Sequence, residues 1–325
     1  MLFLSFFLFL VGIAILWFSS EIVIRNIGPI AKFFGVKELV VTILGVSVLS
    51  SLPELSVSAF SAAKGNADIS IGNVIGSNFV TLTFVTALCA FIVPLSIKPE
   101  IKDRESSWMI LSTVIILLLA SDKQLSRADG VILILLYIPY IFSVIKEAKN
   151  DTTPHVEENK DSTTDKKKNK IWLNFLLEIV AIVGVIIGAD IALNNGQKFG
   201  EMLGIPPLAL GAILFAFGTS LPELAIAVSA TLKKKAEITL GEIYSSNIFT
   251  ALVVLGICSV IAPLNLADMA ILNFDIPFLI FAGVLVQLFI TTGLKFSRIE
   301  AFLILILYVV FVLNHVIPGG IPIKF

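Results

Sequence analysis

Two acids in this chain stand where an acid is least expected. Glu54 lies in "SSLPEL", Ser50–Leu55, and Glu223 in "TSLPEL", Thr219–Leu224, each inside an apolar stretch long enough to cross a bilayer. Near the centre of a membrane helix an ionised acid costs at least about 3 kcal/mol, so each must be protonated or matched by a cation. No lysine or arginine falls at matching depth in any apolar stretch, which leaves a proton or a bound ion. A proline precedes each acid. Pro53 withdraws the N–H that the Leu49 carbonyl would receive mid-helix, and Pro222 does the same to Gly218. Carbonyls freed within a membrane need partners, and a cation is one. Ser50, Ser51, Thr219 and Ser220 add hydroxyl oxygens beside them.

A second pair of motifs completes the donor set. "GNVIGSN", Gly72–Asn78, and "GEIYSSN", Gly241–Asn247, combine small residues that allow close helix approach with Ser77, Asn78, Thr81, Ser246, Asn247 and Thr250. All are oxygen donors, and no histidine or cysteine joins them, which favours a hard ion such as calcium or sodium over zinc or copper. Two carboxylates with several neutral oxygens suit one divalent cation, and the same two charges can hold monovalent ions instead. Shared ligands of this kind make the occupants mutually exclusive, as exchange requires. Glu242 reads in two ways: a third acid of the site, suited to carrying a proton, or a helix-start glutamate near the end of its span. Glu21 and Asp190 fall at span ends, Glu178 in the inner third of the sixth span and Asp275 beside the ninth. None pairs as Glu54 and Glu223 do.

The elements that must position these residues are membrane helices. Of 325 residues, 57% are apolar and 14% charged, whereas soluble domains carry about a quarter charged residues. Ten spans are expected, at roughly 2–19, 38–63, 69–96, 106–121, 128–146, 171–193, 206–232, 238–263, 270–293 and 298–317. The first has no basic start and no small-residue cleavage site, so it reads as a retained span rather than a signal peptide. Cys89 and Cys258 lie in apolar segments and read as packing residues, not a disulfide. A polar segment, 147–170, reads as a linker between 1–146 and 171–325. With both termini outside and the linker cytoplasmic, 18 of the 23 lysines and arginines face inward, as the positive-inside rule asks of a cell-membrane protein.

The motifs belong to a repeat. At an offset of 169 residues Ser77-Asn78 returns as Ser246-Asn247, Thr81 as Thr250, Cys89 as Cys258 and Pro94-Leu95 as Pro263-Leu264. Further on, "SRADGVILILLY" resembles "SRIEAFLILILY" with a shift of two. Five spans per half is an odd number, so the second half enters the membrane inverted. The fold class is therefore an all-α membrane protein of ten helices in two inverted five-helix repeats with broken helices at the core, an arrangement of secondary transporters. A cation channel would show a continuous polar stripe along one span, whereas these polar residues cluster at one depth. A membrane-embedded enzyme is less expected still, because His155 and His315 lie away from the cluster and no His-Glu-x-x-His motif or serine–histidine arrangement is present. No nucleic-acid partner, resident cofactor or oligomer interface is indicated. The expected partners of a monomer are the bilayer and the transported cations.

At these residues the sequence resembles the sodium/calcium exchanger (cation/calcium antiporter) superfamily in its short prokaryotic form. "GTSLPE", Gly218–Glu223, and "GNVIGSN", Gly72–Asn78, carry the resemblance, which extends over nearly the whole chain. It implies that Glu54 and Glu223 ligate calcium. It also implies that Ser50, Ser51, Thr219, Ser220, Ser77 and Ser246 bind sodium or line the site, with backbone carbonyls near Ser47 and Ala216. Sodium-coupled members usually carry asparagine or aspartate where this chain has Thr81 and Thr250, and Gly-Asn where it has Gly241-Glu242. The resemblance thus implies calcium exchanged for sodium, with exchange for protons as the alternative.

Overall fold

A computed structural model describes residues 2–96, 101–150, 164–202, 218–266, 271–293 and 295–316. It is almost entirely helical. In chain order the helices are α1 (Leu2–Phe34), α2 (Glu38–Ser50), α3 (Leu52–Ala63), α4 (Ala67–Ile92), α5 (Asp103–Asp122) and α6 (Arg127–Asn150). The second half gives α7 (Thr164–Met202), α8 (Leu221–Leu232), α9 (Ala236–Ile261), α10 (Ile271–Thr292) and α11 (Arg298–Val316). Among the described residues seven helices are long and apolar enough to cross a bilayer alone, and α2 with α3 forms an eighth candidate bent by 43°. Trp172–Gly188, within α7, and α8 are shorter apolar helices. This is a multi-pass membrane protein.

The prolines act differently from the mid-helix kink expected of them. The first helix breaks two residues before Pro53, at Ser51 (φ −87°, ψ 11°), and restarts with that proline in the first turn of α3, and α8 starts in the same way after Ser220 (φ −87°, ψ 6°), with Pro222 in its first turn. There the missing N–H would have had no helical partner, so proline starts a helix at little cost. Each break places an acid in a helix's first turn, where unpaired backbone N–H groups and the helix dipole favour negative charge.

Other local devices repeat between the halves. A π turn opens at Thr81 and at Thr250, in α4 and α9. Asp129 and Glu300 accept hydrogen bonds from the backbone N–H of Ser126 and Ser297, closing a box at the start of α6 and α11. Two short antiparallel ladders cross between the halves: β1 (Leu95–Ser96) pairs with β4 (Lys295–Phe296), and β2 (Gln124–Leu125) with β3 (Leu264–Asn265).

α4 and α9 are the most buried helices, about four-fifths of each apolar window lying inside the protein. Phe79 on α4 stacks on Phe278 of α10 and Phe311 of α11, at 5.2 and 4.3 Å between ring centroids. α6 crosses α9 closely. A Cβ at Gly130 would stand 2.6 Å from the Gly256 carbonyl oxygen, so only glycine fits there. α1 and α7 pack mainly against each other. A Cβ at Gly188 would fall 2.7 Å from the Leu16 nitrogen. α1 reaches the rest of the bundle through Ser20, whose hydroxyl lies 2.8 Å from that of Ser229 on α8, and through Glu21, 3.1 Å from the Lys233 ammonium. Glu21 therefore sits within a helix that continues to Phe34, not at the end of a span closing near residue 19. Cys89 and Cys258 are buried and unlinked.

Candidate cation site

The two halves meet at their helix breaks. Glu54 is 1% and Glu223 2% exposed, and the Ser51 hydroxyl donates across the halves to Glu223 Oε1 at 3.1 Å. Glu223 lies within electrostatic reach of both Glu54 and Glu242. Among the described residues no lysine or arginine pairs with any of the three. The cations of the neighbouring ion pairs go to Glu21, Glu38 and Glu105. Both carboxyl oxygens of Glu54, Glu223 Oε2 and the Ser220 hydroxyl are buried without a hydrogen-bond partner. Buried polar atoms are rarely left so, and each costs about 1–3 kcal/mol or more if charged. Four such atoms in one place form a set of oxygens that a cation would satisfy.

The neighbouring hydroxyls are arranged by the helices that carry them. Ser77 and Ser246 each donate to the carbonyl three residues back, Val74 and Ile243, at 3.1 Å. Their protons are spent within the helix, and their lone pairs stay available as cation ligands. Thr81 and Thr250 are committed elsewhere. Thr81 donates to Asn247 Oδ1 and Thr250 to Asn78 Oδ1, both at 2.5 Å. The asparagine amides return the bond, Asn78 to the Asn247 carbonyl at 3.3 Å and Asn247 to the Asn78 carbonyl at 3.2 Å. These four side chains lock α4 to α9 through a reciprocal set of bonds.

Glu242 is the residue that sequence reasoning left divided. It is fully buried, six residues into α9, and accepts hydrogen bonds from Ser47 and Ser50, both at 2.7 Å. Ser47 also touches Ser245, 2.5 Å between oxygens. The helix-start reading is thereby set aside, since the side chain belongs to the central cluster. Its counterpart at the repeat offset is Asn73, which accepts from Thr219 at 3.4 Å and donates to Ser58 at 2.9 Å. Ser47 enters through its side chain. Ala216, its counterpart, lies outside the described residues. Among the described residues no three acidic, histidine or cysteine groups converge on one point in this conformation. Hydroxyls and carbonyls must therefore complete any coordination shell around the two central carboxylates, as hard cations accept.

Two buried acids brought together from the first turns of separate apolar helices, one of them bent away from its predecessor, fit the anatomy of a membrane transporter. The sodium/calcium exchanger protein family matches residues 4–146 and 173–316, and the chain belongs to that family, in its short prokaryotic form. It is 28% identical to the sodium/calcium exchanger MaX1 of Methanosarcina acetivorans over 96% of this chain and 98% of that protein. It is 26% identical to the Ca(2+)/H(+) antiporter ChaA of Bacillus subtilis over 66% of each. Among solved structures, the sodium-calcium exchanger NCX_Mj, soaked with 10 mM Na+ and zero Ca2+, superposes with a TM-score of 0.81. That match has 27% identity and covers 95% of this chain and 98% of the other.

Proposed function

We propose that the protein is a secondary active antiporter exchanging calcium for sodium by alternating access, with Glu54 and Glu223 as central cation ligands. The observation that carries this reading is the meeting of two buried acids from opposite halves, bridged by Ser51, with the oxygens of Glu54 left without partners. Ser50, Ser51, Thr219, Ser220, Ser77 and Ser246 supply the neutral ligands, with the carbonyls near Ser47 and Ala216. Thr81 and Thr250 hold the frame around them. The names of MaX1 and NCX_Mj support calcium and sodium as the cargo.

The proposed architecture is ten spans in two inverted repeats, 1–146 and 171–325, joined by a cytoplasmic linker, 147–170, in the cell membrane with both termini outside. Bound cations neutralise the acids and lower the barrier for α1 and α7 to slide across the other helices, and a bare anionic site resists that movement. The test is calcium-45 flux in proteoliposomes under an imposed sodium gradient. Wild type accumulates calcium, and Glu54→Gln and Glu223→Gln do not. Normal flux in either variant overturns the assignment.

A second reading, calcium exchanged for protons, is favoured by Glu242, a third acid held by two serines beside the central pair. The name of ChaA also supports it. It predicts calcium uptake in sodium-free vesicles driven by a pH gradient, lost in Glu242→Gln.

A further inference from the structure

A cavity of about 500 Å³ lies on the seam between the α1–α7 pair and α2, walled by Phe34, Val40, Leu44, Leu49, Phe175 and Ile182. One acid, Glu178 of α7, also lines it, and no lysine, arginine or histidine does among the described residues. Glu178 is 8% exposed, and neither of its carboxyl oxygens has a hydrogen-bond partner. The Asn26 amide of α1 stands close enough to Glu178 to act on it as a weak donor, although its nitrogen, also buried, makes no hydrogen bond of full geometry. The cation site does not use this group. Glu178 belongs to neither copy of the SLPEL motif, and its repeat offset from the first half falls before the first bend, at Phe9.

A buried acid of this kind holds a proton or is matched by a cation, and an ammonium entering the cavity would supply the cation. A metal ion does not fit the chemistry, because hard cations need six or more oxygens and this cavity offers one carboxyl among apolar side chains. The cavity has the volume of a small-molecule pocket, apolar with one orienting group. We propose that it is a binding site for a hydrophobic amine. The ammonium donates to the Glu178 carboxylate, and the hydrocarbon body fills the space between α1, α2 and α7. An occupant here wedges the seam between the α1–α7 pair and the rest of the bundle. Inhibition of exchange by the amine rests on the sliding motion proposed above, whereas the binding does not.

The experiment uses the full chain in phosphatidylcholine vesicles with a diazirine-bearing decylamine as probe, mapping photolabelled peptides by mass spectrometry. Labelling is expected on the peptides carrying Leu44 and Phe175, competed by decylammonium but not by decanol at equal membrane concentration. Glu178→Gln should weaken it at least about tenfold, as loss of a charge-assisted hydrogen bond does. Leu44→Trp, which narrows the cavity, should weaken it further. Equal competition by decanol in the wild type means that the cavity takes any acyl chain and overturns the proposal without recourse to a variant. Undiminished labelling in Glu178→Gln overturns it also. Labelling as expected with exchange unimpaired by decylammonium sinks the sliding motion and leaves the binding site standing.

Discussion

Asn73 and Glu242 occupy the same place in the two halves and are built into opposite chemistry. On the first side a neutral amide receives one long hydrogen bond, 3.4 Å from Thr219. On the second an acid receives two short ones, from Ser50 and Ser47, in a pocket where Gly76 of the first half is replaced by Ser245. Hydrogen bonds to a charged acceptor are shorter and roughly twice as strong as neutral ones. The central pair differs in the same sense. Glu223 holds a bond from Ser51, whereas the equivalent partners, Glu54 and Ser220, are both unpaired. The lesson is that the two copies of the repeated sequence share a frame of hydrogen bonds between α4 and α9 and differ in the polarity built onto it, the second copy carrying the more strongly bonded acids.

The most severe way to break this comparison is to remove either central charge. Glu54→Gln and Glu223→Gln should each lower calcium flux by more than about 100-fold, since loss of a charged ligand in a dry site costs several kcal/mol. Unequal losses would show that the Ser51 bond already unbalances the pair. Next, Glu242→Asn makes the second half like the first. Flux should survive with calcium affinity reduced on the order of tenfold, about the worth of one charge-assisted bond, when the calcium dependence of uptake is measured. An unchanged affinity would mean that the serine cage has no influence on the site.

Three further substitutions test the shared frame through stability. Gly130 corresponds to Ala301 in the second half, where the alanine is fully buried. Gly130→Ala should nonetheless destabilise by about 1–3 kcal/mol in thermal melts, because its Cβ meets the Gly256 carbonyl. Smallest of all, Thr81→Val and Thr250→Val should each cost about 1 kcal/mol. Their effects should match within error, because each removes the same bond to an asparagine of the opposite half.

Much of this was legible in the sequence because it is local or repeated. The SLPEL pair, the 169-residue offset and the serines beside the two acids need only a comparison of the chain with itself. Helix ends were harder. α1 runs on past Glu21, which read as a span end, and Glu21 pairs with Arg25 one turn on and with Lys233 far along the chain. The role of Glu242 depends on Ser47 and Ser50, almost 200 residues away in sequence, and no local pattern announces such a contact. Thr81 and Thr250 looked like departures from an ion-binding frame. Their asparagine partners, Asn247 and Asn78, were visible as letters, but the crossing that joins them was not.

The small ladders carry a consequence of their own. β1 with β4 and β2 with β3 each take one strand from either half, like two staples driven through the same fold line. A hinge along the boundary where the sequence repeats itself would have to tear both. The line of internal ancestry thus runs through the interior of one mechanical block. Any working joint in the molecule must follow a different line, one that no comparison of the halves would draw.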